Sequence, residues 1–395
     1  MSSSAVVNTY DEETEYFCLD IWRLPLEFSL TALSDQSSTS RKQNSDLIQR
    51  EYTKKSIGKP FAPNSLTEQA PISLLGELAV VLVLSTIMGG ALFWPLLGLA
   101  IAIFGSWTQL VVYVGCTSVL ALHPMPDVSN SLCHSWILKQ IYSYFSYRFV
   151  YTGKGMKMSQ RLSPWLGVGV PHGVMPFSNL LSTPACQSLI NFDKPKPGRE
   201  ADSPLMLSSY PEFIGCPASV VFHTPFLRYF TLLRSEHVSR AAIEKQLAAG
   251  NNIGLVGDGI AGIFQCSLEE EVIALKNKKG LAKLALRNGR HIIPCYSFGN
   301  TEAFSLWYDS FGWMEWISRK AQASLFFYWG KFGLPIPHRV NITMAIGDMI
   351  EVEKVENPTQ AQIDEVHQRI LDGVEKTFNT YKNALGWGHK RMRFV

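Results

Sequence analysis

Val170-Pro171-His172-Gly173 is the first segment of this chain whose residue types could do chemistry. The apolar run 165–170 leads into a Pro-His-Gly turn, and Val174-Met175-Pro176-Phe177 follows. Proline stiffens the approach, and glycine lets backbone or substrate come close to the imidazole. A His at the C-terminal end of a sheet strand lies where α/β folds place active groups. Its near-neutral pKa suits it to take a proton from an alcohol. The plain alternative for a lone His in a turn is surface decoration.

A second segment, residues 254–262, follows the strand-like run 252–256 and contains Gly257, Asp258, Gly259 and Gly262. It is a formal G-x-G-x-x-G, the dinucleotide fingerprint. That reading is rejected: the motif lies deep in the chain, and the acids after it (Glu269, Glu270, Glu271) fall in a helical run. A glycine turn approached closely by a thioester or phosphate is the functional reading; a tight structural turn is the plain one. In a third segment Lys279, Lys283 and Arg287 fall at i, i+4 and i+8 of a helix, one cationic stripe. Such a stripe suits coenzyme A phosphates or anionic headgroups, although many are simply solvated. Two further turns follow apolar strands. One carries His223 and Arg228; the other carries Glu302 among aromatics, where a carboxylate could orient a histidine or cap a helix.

These groups must be positioned by elements of two textures. From Leu78 to Leu122 there is no Asp, Glu, Lys or Arg. A hydrocarbon core takes about 20 apolar helical residues to cross. With its upstream extension to Leu74 the block offers two arms, 74–94 and 96–122, broken near Pro95 by that proline and by Gly89-Gly90. Arg50, Lys54, Lys55 and Lys59 precede it, and Lys139, Arg148, Lys154 and Lys157 follow, so a hairpin with both ends in the cytosol is expected. The alternative is a buried helical pair inside a large soluble domain. Residues 1–73 mix an acidic patch with a Ser/Thr/Gln stretch and read as a mostly disordered cytosolic leader, with one apolar piece at 16–26 able to fold onto something.

From residue 123 to 395 short apolar runs alternate with amphipathic helices: 165–170, 219–222, 252–256, 291–296 and 339–346 as strands, 241–249, 281–288 and 362–385 as helices. That alternation gives an α/β domain with a central sheet flanked by helices. In the last helix Asn357 or Thr359 is the N-cap, and Ile363, Val366, Ile370, Val374 and Phe378 share one face. Charged residues make up 17% of the 395, below the roughly 25% usual for soluble proteins. A net charge of only +3 makes general polyanion binding a poor reading, so no nucleic-acid partner is expected. Seven widely spaced Cys without a C-x-x-C pair point to reduced thiols facing the cytosol, with no zinc site.

Read in order, these segments resemble the diacylglycerol acyltransferase type 2 family, which includes monoacylglycerol and wax-ester acyltransferases. The matching pieces are the hydrophobic hairpin, 171–177, 224–228, 279–289, 293–299 with Asn300-Thr301-Glu302, 335–338 and 352–360, covering about residues 74–388. The resemblance implies an endoplasmic-reticulum or lipid-droplet enzyme that acylates diacylglycerol from acyl-CoA, at the membrane and without a further cofactor or metal. It puts the catalytic base at His172, with Asp258 and Glu302 as assisting acids. Pro171, Gly173, Phe177, His223, Arg228, Gly257, Gly259, Lys279, Lys283 and Arg287 would bind substrate, and a homo-oligomer is compatible with it. Three positions depart from related patterns. Val170 stands where the family has a first His. Gly262 stands where it has an acid, so either Asp258 supplies that carboxylate or it is dispensable. Five residues after His172 comes Phe177 instead of the Asp of glycerolipid acyltransferases, against a phosphate-bearing acceptor.

Overall fold

A computed structural model of the chain describes residues 15–23, 49–53, 66–126, 129–133, 135–152, 164–190, 212–265, 270–307, 309, 311–321 and 326–395. Its strands are β1 (Glu15–Asp20), β2 (Gln49–Thr53), β3 (Arg148–Thr152), β4 (Trp165–Val170), β5 (Phe213–Gly215), β6 (Asn252–Val256), β7 (Glu270–Ile273), β8 (His291–Phe298), β9 (Ser305–Leu306), β10 (Tyr328–Trp329), β11 (Thr343–Ile346) and β12 (Arg391–Phe394). The helices are α1 (Leu74–Phe104), α2 (Trp107–Leu122), α3 (Trp136–Tyr144), α4 (Phe177–Ile190), α5 (Arg240–Ala248), α6 (Gly259–Ile263), α7 (Gly280–Asn288), α8 (Trp313–Ala321) and α9 (Gln360–Tyr381). The α/β class expected from the alternation is the one observed. The main sheet runs β2-β1-β3-β11-β8-β4-β6-β5. Its β8, β4, β6 and β5 are mutually parallel, while β11 runs antiparallel to β8.

Both faces of this sheet are covered. On one, Leu166, Val168 and Val170 pack with Ala282 of α7 and with Ile363, Val366, Ile370, Val374 and Phe378, the α9 face read from the sequence. Thr359 is the N-cap, in a capping box with Gln362. On the other face Phe149 and Tyr151 of β3 pack with α1, α3 and α4. There β4 presents the buried Gly167 and Gly169, and the Asn179 side chain of α4 fills the space a Cβ at Gly169 would need. Three local expectations change. Residues 219–222 form a 3-10 helix, β11 is confined to Thr343–Ile346, and Glu270-Glu271 open strand β7 where a helical run was read.

Part of the leader is structured. Strand β1 pairs with β3, and the buried Arg148–Asp20 ion pair at 3.3 Å joins them. Arg148 is therefore an internal tie and not a flanking membrane charge. Residues 11–14 of the acidic patch 11–15, the Ser/Thr/Gln stretch, Lys54, Lys55, Lys59, Lys154 and Lys157 lie outside the described residues.

The apolar block differs from expectation in where it breaks. α1 continues through Pro95 for 31 residues and ends at Gly105; Ser106 then caps α2 through a capping box with Gln109. One interior proline removes one helix bond, and an apolar surrounding makes losing the rest costlier still. α2 returns alongside α1: Trp94 stacks on Tyr113 at 5.2 Å and donates its indole N–H to Thr117 Oγ1 at 2.9 Å. The buried residues of α1 are Gly76, Val80, Leu84, Met88 and Gly89, a narrow stripe against α3, and α2 buries none. Among the described residues the pair is therefore not enclosed in a core. α1 is long and apolar enough to cross a membrane.

Candidate active site at the C-terminal edge of the sheet

Three adjacent parallel strands end side by side, and each delivers one polar residue just past its end. β4, in the middle, leads to Pro171 and His172; β6 leads to Gly257 and Asp258; β8 leads to Gly299 and Asn300. The flanking residues grip the His172 backbone. Its N–H donates to Asp258 Oδ2 at 3.0 Å, and Asn300 Nδ2 donates to the carbonyls of Pro171 at 3.1 Å and His172 at 2.5 Å. Asn300 Oδ1 also accepts the Ser178 N–H, which ties the start of α4 to the same turn. Gly173 adopts φ +63°, and a Cβ there would lie 2.7 Å from the Asn300 carbonyl oxygen, so the turn requires glycine.

His172 Nδ1 lies 2.8 Å from the Gly173 carbonyl oxygen. A carbonyl only accepts, so this bond assigns the ring proton to Nδ1 and leaves a lone pair on Nε2. Burial drives the imidazole pKa down to about 4, and the Lys278 charge pushes the same way. Burial lifts the Asp258 carboxyl to about 6 against the His172 N–H bond and Lys278. Asp258 is fully buried, and its Oδ1 has no hydrogen-bond partner among the described residues. The structure thus holds a neutral imidazole beside a carboxylate of raised pKa. That arrangement can accept a proton from a weak acid such as an alcohol.

The Gly262 departure has a geometric counterpart. A side chain begun at Gly262 would collide with Asp258 Oδ2, so the Asp258 carboxylate occupies the space into which residue 262 would extend. Lys278, which the helical stripe passed over, donates from Nζ to the Asp258 carbonyl oxygen.

The sequence model of the family described as Diacylglycerol acyltransferase matches residues 104–392. The chain belongs to this family. Diacylglycerol O-acyltransferase 2 of Xenopus tropicalis is 30% identical over 187 residues, 43% of this chain and 52% of that protein. The Mus musculus protein of the same name is 32% identical over 181 residues, 42% of this chain and 46% of that one. Acyl-CoA wax alcohol acyltransferase 1 of Homo sapiens is 24% identical over 238 residues, covering 57% and 68% respectively. The chain spans about half the length of the two diacylglycerol acyltransferases.

Several residues expected at the substrate make other contacts in the structure. Phe177 is buried in an aromatic cluster, 4.8 Å from Phe145 and 6.1 Å from Phe304. Arg228 closes the end of α2: it donates to the carbonyls of Leu120 at 2.9 Å and His123 at 2.8 Å, where a cation suits the helix dipole. Its neighbour Phe226 takes the space a Cβ on Gly90 of α1 would fill, so residues 224–228 clasp the apolar helices to the body. The exposed His223 ring meets His237 at 6.4 Å. Glu302 pairs with Lys390 at 3.0 Å; the group orienting the histidine turn is Asn300. Lys390 also holds the buried Glu271 at 3.2 Å.

The stripe is divided as well. Lys279 pairs with Asp364 of α9 at 2.7 Å, Lys283 is exposed, and Arg287 lies in the field of Glu244 of α5. α7 runs back toward the start of β8, so Lys283 and Arg287 lead away from His172. Of the backbone N–H groups in the turns 171–173 and 257–259 that could meet a developing oxyanion, that of Gly257 is committed to the Gly169 carbonyl, Pro171 has none, that of His172 is committed to Asp258, and that of Asp258 to its own carboxylate. Gly173 and Gly259 are the candidates that remain.

Proposed function

We propose that this chain transfers an acyl group from acyl-CoA to the hydroxyl of a diacylglycerol, releasing triacylglycerol and coenzyme A at a membrane surface. The observation that carries this reading is the neutral His172 ring, its Nε2 lone pair left open by the Nδ1 bond to Gly173. Nε2 takes the hydroxyl proton as the alcohol oxygen attacks the thioester carbonyl. The N–H groups of Gly173 and Gly259 stabilise the developing oxyanion. The carbon–sulfur bond then breaks, and the thiolate recovers the proton from the imidazolium. No acyl-enzyme forms, and Asp258 and Asn300 act as positioning residues for the histidine turn.

Geometry supports a re-entrant arrangement of the apolar helices. α2 has 16 residues, about 24 Å of helix, against a hydrocarbon core of about 30 Å. The pair would dip from the cytosolic face of the endoplasmic reticulum, or of lipid droplets, and return to it.

The test is neutral-lipid synthesis in membranes of a yeast strain lacking its own triacylglycerol synthesis. The wild-type chain should restore it, and His172→Ala at equal abundance should lower turnover by roughly 10²–10⁴-fold. Normal acylation by that variant would sink the assignment. The likeness to a wax alcohol acyltransferase favours a second acceptor class, a long-chain alcohol or monoacylglycerol, which an acceptor panel with labelled acyl-CoA separates. An inactive lipid-droplet scaffold, suggested by Gly262, requires that purified protein make no neutral lipid from any acceptor.

A further inference from the structure

Between β9 and β11 the chain turns its largest apolar side chains outward. Phe311 is 85% exposed and Phe332 89%. In α8, Trp313, Trp316 and Ile317 lie at i, i+3 and i+4, share one face and are all exposed, while Ser318 is fully buried. A helix on a globular body normally turns its apolar stripe inward; α8 has the opposite orientation. Asp309 holds it there, accepting the N–H groups of Trp313 at 3.1 Å and Glu315 at 3.0 Å. Lys320 lies 4.2 Å above the Trp316 ring, the pairing of cation and indole that suits the headgroup level of a bilayer. Phe332 adopts φ +59°, a left-handed backbone unfavourable for a bulky residue, and its ring is left outside.

Two sets of contacts locate this patch. Tyr328 donates its hydroxyl to the Met88 carbonyl of α1 at 2.7 Å, where α1 leaves the body. Leu334, Pro335 and Ile336 share a cavity of about 590 Å³ with Gly89, Phe93 and Leu97 of α1. On the other side α8 rests against α6, the helix that begins beside Asp258, and Phe326 meets Phe264 edge-on at 6.1 Å. The patch therefore joins the middle of α1 to the element carrying the candidate site.

We infer that this segment is a second membrane-contact surface: Trp313, Trp316 and Phe332 enter the headgroup and upper acyl region of a phospholipid bilayer, and Lys320 reaches its phosphates. The inference rests on the bilayer reading of α1 and α2. It brings the body against the lipid beside α1, with the histidine turn near the surface from which a greasy alcohol would arrive.

The test uses the full chain in phosphatidylcholine vesicles, with tryptophan emission compared between wild type and Trp313→Phe/Trp316→Phe. The difference emission belongs to these two rings. Lipids brominated near the top of their chains should quench it at least about twofold, and aqueous acrylamide should not. Quenching by acrylamide alone overturns the inference. So does quenching by neither agent together with cross-linked dimers, which would assign the face to a second copy. A parallel assay compares Trp313→Asp/Trp316→Asp with wild type on two acceptors. Turnover on bilayer-resident diacylglycerol should fall about tenfold, and turnover on a short-chain, water-dispersed diacylglycerol should be kept. Wild-type inactivity on both acceptors would refute the proposed reaction and leave the quenching result to decide the surface.

Discussion

At the residue scale, the two neighbouring groups have pKa values displaced in opposite directions. The carboxyl of Asp258 takes a proton as pH falls through about 6, while the His172 ring stays neutral down to about 4. Protonation weakens the bond that Oδ2 accepts from the His172 N–H, so the acid limb of kcat should fall near 6. Asp258→Asn should lower kcat at neutral pH roughly tenfold, the gap of about 1.4 kcal/mol between a charged and a neutral hydrogen bond. Its pH profile should lose that limb and decline only as the imidazole titrates. Linkage gives a second readout. Between about 4 and 6.5 acidification destabilises through His172, because the unfolded chain binds the proton first. Between 3.8 and about 6 it stabilises through Asp258, protonated first in the fold. Asp258→Asn keeps only the former, so acid unfolding in detergent should steepen. Lys278→Gln should move both pKa values upward and shift the kcat limb with them, whereas Lys283→Gln should leave it in place. His172 and Asp258 were legible because proline and glycine frame them. Asn300 was not: a neutral amide carries no sign of chemistry until the sheet sets its strand beside β4. Lys278 escaped because helical spacing selects Lys279 and its partners, while the preceding loop residue is the one that turns toward the site.

At the element scale, the strands that build the site were readable from their apolar runs, and so was the α9 stripe. The break in the apolar block was misplaced because proline drew more weight than the capping box. Ser106 and Gln109 carried the signal, since two backbone groups saved at a helix start outweigh one bond lost inside a helix. The clasp formed by residues 224–228 gives a direct test. Arg228→Ala should leave the Leu120 and His123 carbonyls without their donor, costing about 1–3 kcal/mol in chemical unfolding. The KM for acyl-CoA in the surviving fold should stay within about twofold. A large rise in KM with unchanged stability would return this arginine to the substrate.

At the scale of the whole molecule, composition announced the long apolar helix and the alternation announced the sheet, but neither showed how they meet. That relation rests on side chains distant in sequence: Phe226 at Gly90, Tyr328 at Met88, and Lys331 with Glu77 at 3.1 Å. The re-entrant reading predicts that a glycosylation sequon inserted between Gly105 and Ser106 stays unmodified in microsomes, while engineered thiols before α1 and after α2 react from the same side. Modification of the inserted sequon would mean that the turn reaches the lumen. An anchor that goes in and comes out through one face needs no water beyond it. On the re-entrant reading α2, at about 24 Å, stops short of the far headgroups, so the chain could pass sideways onto a single phospholipid sheet coating oil without moving any polar segment across. If the proposed reaction holds, its neutral-lipid product would collect directly beneath the protein.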